Sequence, residues 1–238
     1  NTDELGTLQH TMLRMWNYWL DKEQDTDVPI GMKHYKGVGT VKGAMARHAE
    51  EAYADLDTEE KRIICERIFR AMVEKSNDGN HTSRAVTVKE MMNITGRSLR
   101  EVRLVIYTFS QSGRRFLTAP PVAEIDEDSV VTIAHESLIK RWTRLKGWAN
   151  DEAESAEMYA RLCAAAALFY EGKGSLWKNP ELQLGLKWFD PETNDADFSW
   201  KLPPNQEWAK RYESSLVGYG KAIEFLLESD NKSSAANT

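Results

Sequence analysis

The chain has 238 residues, 41% of them hydrophobic, a formal net charge of −6 and a pI near 5.5. That is enough apolar material for one large domain or two small ones, and the acidic balance weighs against a protein that binds nucleic acid with its whole surface, since phosphate contacts need concentrated Lys and Arg. Cys65 and Cys163 alone cannot form a disulfide framework or a zinc site, and the longest apolar runs, such as residues 162–170, fall short of the ~20 needed to cross a bilayer, so the expected setting is reducing and cytoplasmic.

In chain order, Leu5, Leu8, Met12, Met15, Trp16 and Trp19 recur at three- and four-residue steps and predict an amphipathic helix over residues 3–22, capped by Thr2 or Asp3. Residues 25–39, with Pro29, Gly31, Gly37 and Gly39 among polar neighbours, read as a loop. A second helix opens at Thr40, with Val41, Met45, His48, Ala49, Ala52 and Leu56 on one stripe. Asp57 or Thr58 caps a third, which carries Ile63, Ile64, Arg67, Ile68, Ala71 and Met72 and is closed by residues 76–79. Residues 84–87 are β-prone, a short helix runs from Thr87 to Ile94, Thr95 and Gly96 turn, and Ser98 caps a helix carrying Leu99, Val102, Val105, Ile106 and Phe109. This helix-turn-helix order is followed by β-prone residues 116–118 and 130–133, whose polar connection makes them a hairpin and the whole a winged helix.

Beyond the hairpin, long helices are expected over residues 137–149 and onward through Met158, Leu162, Ala165 and Phe169, with Gly147 as a kink. Gly172 and Gly174 break that pattern, residues 180–188 form a short helix, residues 190–204 a loop, and a last helix runs from Asn205 to near Ser229. The expected fold class is mainly α: a winged helix, meaning helix-turn-helix plus a small β-hairpin, flanked by helical segments. Its expected domains are an N-terminal helical segment (1–57), the winged helix (58–149) and a C-terminal helical linker (150–238). The chain starts at Asn1 and ends in a polar run, so it is expected to be a piece of a longer protein.

No GxxxxGK[ST] loop follows a strand, and neither GxSxG nor HExxH occurs, so no catalytic residues are expected and the chain reads as no enzyme. The Gly clusters at 37–39, 172–174 and 218–220 read as turns or close-packing devices. Glu50 with Glu51, Glu59 with Glu60, and Asp151 with Glu152 are expected on solvated faces or in first helical turns, where carboxylates favour the dipole. His10 and His48 fall on or near apolar stripes and read as core histidines, while His34 and His81 are expected exposed in loops. His135 stands where the second hairpin strand passes into a helix, a place from which an imidazole can donate to an anion, although the residues alone favour a capping or core role. Arg100 and Arg103, with Arg97 just before their helix, could face a DNA major groove. Leu104, Val105, Ile106, Tyr107 and Phe109 make that helix apolar over most of its circumference, which suits a buried helix better.

Three segments, in order and in register, carry a family resemblance. Leu5-Gly6-Thr7-Leu8-Gln9-His10 resembles the Leu-Pro-Leu-Leu-Gln-His stretch of the novel STAND NTPases of bacteria, signalling proteins that join a P-loop ATPase module to a repeat region such as a β-propeller. Ala46-Arg47-His48-Ala49-Glu50, preceded by Gly37-Val38-Gly39, is similar to that family's Ala-Arg-His-Ala-Glu segment, and Ala134-His135-Glu136-Ser137-Leu138 to its Ala-His-Glu-Ala-Leu signature. The resemblance implies the winged-helix and helical region C-terminal to the P-loop module, acting as a non-catalytic relay of nucleotide state to a C-terminal sensor. It also implies that His135, with Glu136, is the nucleotide-sensing position, the counterpart of a His in an MHD-like motif that contacts bound diphosphate; the third motif position here is Glu rather than Asp. No cofactor or metal is then expected in this chain, and ATP or ADP with Mg in the parent protein. Its expected partners are the ATPase domain and the repeats of the same polypeptide, with homo-oligomers in the parent, and neither membrane nor nucleic acid. Under the alternative, a winged-helix DNA-binding regulator, Arg97, Arg100 and Arg103 would be the contacts.

Overall fold

Local capping chemistry sets where several of the helices start. A computed structural model describes residues 2–23, 27–76, 79–189, 204–212 and 217–236. It divides into two units, Asn1–Asn150 and Asp151–Thr238. The first unit begins with α1 (Thr2–Lys22), α2 (Met32–Gly37), α3 (Thr40–Ala54) and α4 (Glu59–Ala71). Thr58 Oγ1 accepts from the Lys61 N–H at 3.3 Å and so caps α4. A hairpin, β1 (Val73–Lys75) and β2 (His81–Ser83), leads to β3 (Val86–Thr87), α5 (Val88–Thr95) and α6 (Leu99–Ser110). Thr87 caps α5 through the Glu90 N–H, Gly96 ends it at φ +66°, and Glu101 reaches back to the Ser98 N–H at 3.0 Å to start α6.

The unit closes with β4 (Leu117–Thr118), β5 (Val130–Ile133), α7 (Ser137–Arg141) and the first turns of α8 (Thr143–Tyr170). The sheet order is β3-β5-β4, all antiparallel, with Val86 opposite Val131 and Leu117 opposite Ile133. This register turns Val131 and Ile133 into the core and leaves Val130 exposed. Helices α4, α5 and α6 pack on one another, and Phe69 meets Phe109 and Trp142 edge-on at centroid distances of 4.9 and 5.3 Å. The second unit holds the rest of α8 with α9 (Glu181–Phe189), α10 (Gln206–Ala209) and α11 (Tyr219–Ala236) around Tyr159, Leu162, Trp188, Trp208 and Phe225. Among the described residues no helix is long and apolar enough to cross a membrane.

Several sequence expectations are corrected. Part of the expected loop 25–39 is the helix α2, and His34 lies buried in it, its Nδ1 accepting from the Gly31 N–H at 2.9 Å and its Nε2 facing Glu23 at 3.0 Å. The segment after α4 is the β1–β2 hairpin, which places His81 in a strand, half-buried. The helix expected over 137–149 breaks at Trp142, not at Gly147, because Trp142 adopts an extended backbone while α8 runs through Gly147 unbroken. The last helix is two, α10 and α11. Glu152 is buried rather than solvated. The loop expected over 190–204 lies outside the described residues up to position 203.

The spacing that predicts α1 does not say which of its faces is buried. Leu5, Leu8, Met12, Trp16 and Leu20 are each about half exposed, while Thr7, His10 and Thr11 on the opposite face are buried. That inner face survives burial because its polar groups are satisfied: Thr11 Oγ1 donates to the Thr7 carbonyl at 2.8 Å, and His10 and Arg14 find partners on α3.

Candidate functional site

The three segments singled out in the sequence meet at one seam, where α1, α3 and α7 pack together. From α3, each residue of Arg47-His48-Ala49-Glu50-Glu51 has a distinct task. Arg47 Nη1 donates to the Gly37 carbonyl at 2.9 Å, which fixes the turn before α3. His48 Nδ1 lies 3.1 Å from His10 Nε2 on α1. Ala49 is fully buried, and its small side chain lets α3 approach its neighbours closely. Glu50 accepts from Trp142 Nε1 at 2.6 Å and from Arg144 Nε and Nη2 at 3.1 Å each, joining α3 to the α7–α8 corner. Glu51 receives Arg14 Nη2 of α1 on both carboxylate oxygens, at 2.6 and 2.5 Å. Glu50 and Glu51 lie on the solvated face expected of them, their side chains 44% and 45% exposed, and in addition tie α3 to its neighbours; Glu59 and Glu60 stand exposed in the first turn of α4.

His10, His48 and Phe116 form a triangle of rings with centroid separations of 5.1 to 5.2 Å. One N–H···N bond between two imidazoles needs a donor on one ring and a free lone pair on the other, which neutral rings supply. Burial first, then the Arg14 guanidinium and the His135 ring, lower the His10 pKa to about 4. Burial, then Arg14, His10 and Arg114, lower that of His48 to about 3. Arg114 is itself engaged by Asp55 at the end of α3. Both histidines are core residues, as their stripe positions suggest, yet they form the floor of the site. The signal in the sequence is that each of the three segments carries a histidine.

His135 follows β5 and precedes α7. The Ala134 N–H donates to the Phe116 carbonyl at 2.9 Å, extending the strand pairing by one residue, and the His135 carbonyl accepts from Leu138 N at 2.9 Å to start the helix. The side chain is half-buried and lies over Gly6 of α1. Neither ring nitrogen has a hydrogen-bond partner among the described residues. Because α7 is only five residues long, it cannot offer the helix N-terminus that a long helix would have placed beside His135. Any anion contact here falls to the imidazole itself. Glu136 is the half-buried residue preceding α7 and makes no side-chain cap. No group of three or more His, Cys, Asp or Glu among the described residues is arranged to hold a metal ion.

The arginines of the alternative reading do not converge. Arg103 donates to the Ile125 carbonyl in the β4–β5 connection, Arg97 lies 3.6 Å from Glu101, and Arg100 is exposed beside Leu104 and Tyr107 on the outer face of α6.

Comparison with curated proteins and with solved structures gives no match. The profile of Novel STAND NTPase 1 matches residues 1–175, a span that contains α1, α3, the strand-to-helix turn at His135 and the whole three-histidine seam. The chain belongs to the novel STAND NTPase 1 family.

Proposed function

We propose that this chain is a non-catalytic coupling module of a STAND-type signalling NTPase, built on a winged helix (α4–α6 with β3–β5), that relays nucleotide state from an ATPase domain elsewhere in the full-length protein to a C-terminal sensor region. The observation that carries this reading is the seam: three family-like segments far apart in sequence meet, and the imidazole of His135 is left half-exposed with unused ring nitrogens above a buried floor. An imidazole in that state can donate to a diphosphate oxygen supplied from outside the chain, a contact that strengthens when the acceptor is charged. Glu136 beside it would disfavour a second anion and so favour a contact to one phosphate group. The ATP or ADP and its Mg belong to the ATPase half of the site.

This chain alone should not turn over ATP. A purified sample assayed for phosphate release is expected to match the buffer rate; turnover that disappears in His135→Ala would overturn the reading. In the full-length gene, a GxxxxGK[ST] segment upstream of Asn1 is expected, and its absence would sink the relay. A DNA-binding role would instead rest on Arg100, the one arginine of the three directed outward without a partner named above.

A further inference from the structure

Helix interiors disfavour glycine, because the chain loses more backbone freedom there than alanine does. Gly6 nonetheless sits in the second turn of α1. A Cβ built on it would lie 2.7 Å from His135 Nδ1, 3.0 Å from Cε1 and 3.3 Å from Cγ, inside ordinary contact distance for all three atoms. Gly37, the last residue of α2, is crowded in the same way by the Tyr18 ring at 2.8 Å, whereas a Cβ on Gly43 of α3 or Gly147 of α8 would meet nothing within 4 Å. Gly6 therefore makes room for one object, the imidazole of His135.

One turn further along α1, His10 is bonded to His48 of α3 at 3.1 Å, and Arg14 is clasped by Glu51. These two ties fix the height and rotation of α1 against the first unit, and with them the position of the Gly6 backbone under the ring. We infer that Gly6 and His10 are positioning residues for His135: the bare backbone at Gly6 sets the direction of the imidazole, and the His10–His48 bond holds that backbone in place, so that α1 is the element that aims the ring. The inference rests on the proposed function only for what the ring is aimed at, a nucleotide phosphate. Its mechanical content stands on the packing alone. Because the Gly6 backbone lies directly against the ring, a displacement of this helix is felt at His135.

The test uses Gly6→Ala with Gly147→Ala as control. The added methyl meets the end of a side chain rather than backbone, so the ring swings aside and the fold persists. The His135 imidazole 13C–1H resonances are expected to shift in Gly6→Ala while those of His34 and His81 stay, and Gly147→Ala is expected to move none of them. Unchanged His135 resonances in Gly6→Ala would overturn the inference. Should Gly6→Ala lower the unfolding midpoint, the same substitution in a His135→Ala background decides: a loss that disappears there supports the contact, and a loss of equal size in both backgrounds refutes it. In the full-length protein, Gly6→Ala is expected to weaken ADP binding by a factor comparable to His135→Ala. If His135→Ala weakens ADP and Gly6→Ala does not, the positioning role falls. If the His135 resonances shift in Gly6→Ala but neither variant changes ADP affinity, the seat stands and it is the nucleotide-sensing reading that fails.

Discussion

His10 and His48 share their hydrogen bond because both rings are neutral in the folded protein, with pKa values of about 4 and about 3 against 6.5 for the free side chain. Burial is the largest cause for each, and the Arg14 guanidinium comes next. As pH falls below 6.5 the unfolded chain takes up two protons that the folded chain refuses, and stability falls wherever the unfolded state binds more protons. The contribution of the pair is therefore whole above pH 6.5 and is lost progressively as the pH drops to about 4 for His10 and about 3 for His48. Replacing both residues, as His10→Gln with His48→Gln, is expected to lower stability at pH 7 and to flatten its decline between those limits. Urea midpoints measured across that range check this, and a decline as steep as in the parent would show that the titrating groups lie elsewhere.

At the level of elements, α8 and α10 are tied by one carboxylate. Glu152 Oε1 accepts from Trp208 Nε1 at 2.8 Å, Arg211 Nη1 at 2.8 Å and Tyr212 Oη at 2.7 Å, with both Glu152 and Arg211 side chains under 10% exposed. Removing one member of such a buried pair strands the other charge, so Glu152→Ala is expected to destabilise the second unit by about 3–5 kcal/mol. Glu152→Gln keeps an acceptor and should cost less. Denaturant unfolding followed by tryptophan fluorescence measures both, and an alanine variant as stable as the parent would contradict the role given to the clasp.

That clasp was not legible in the sequence, where Asp151 and Glu152 look like one more exposed acidic pair. Legibility followed the range of the interaction. The caps at Thr58, Thr87, Ser98 and Asn205 are decided within three residues and could be read directly. The α5–turn–α6 order and the β4–β5 pairing were legible because Gly96 and the polar connection mark their turns. The β1–β2 hairpin was not, since Glu74 and Lys75 are exposed and a three-residue strand shows no alternation. Nor was α2, six residues long and held by the bonds of His34 to Gly31 and Glu23 rather than by helix propensity. The break at Trp142 depends on its indole reaching Glu50, ninety-two residues away. In the candidate site the same division holds. Each segment could be recognised alone, but the meeting of His10, His48 and His135, and the reason for Gly6, exist only once α1, α3 and the β5–α7 turn have packed.

At the scale of the whole molecule, the proposed function would make the seam one half of a shared site. The family assignment covers residues 1–175 and so includes every residue of that seam. Helix α1 has one face that carries His10 and meets His48 and His135, and another, with Leu5, Leu8, Met12, Trp16 and Leu20, that is apolar and open. Under the proposed relay role, a shift of α1 would change the aim of His135. The energy available for coupling is that of one charge-assisted hydrogen bond, roughly 1.5–3 kcal/mol. The most direct measurement is ADP affinity of the full-length protein, by calorimetry, for the parent and His135→Ala. The account predicts a loss of roughly tenfold to a hundredfold, the equivalent of that bond. Equal affinities in the two proteins would contradict it.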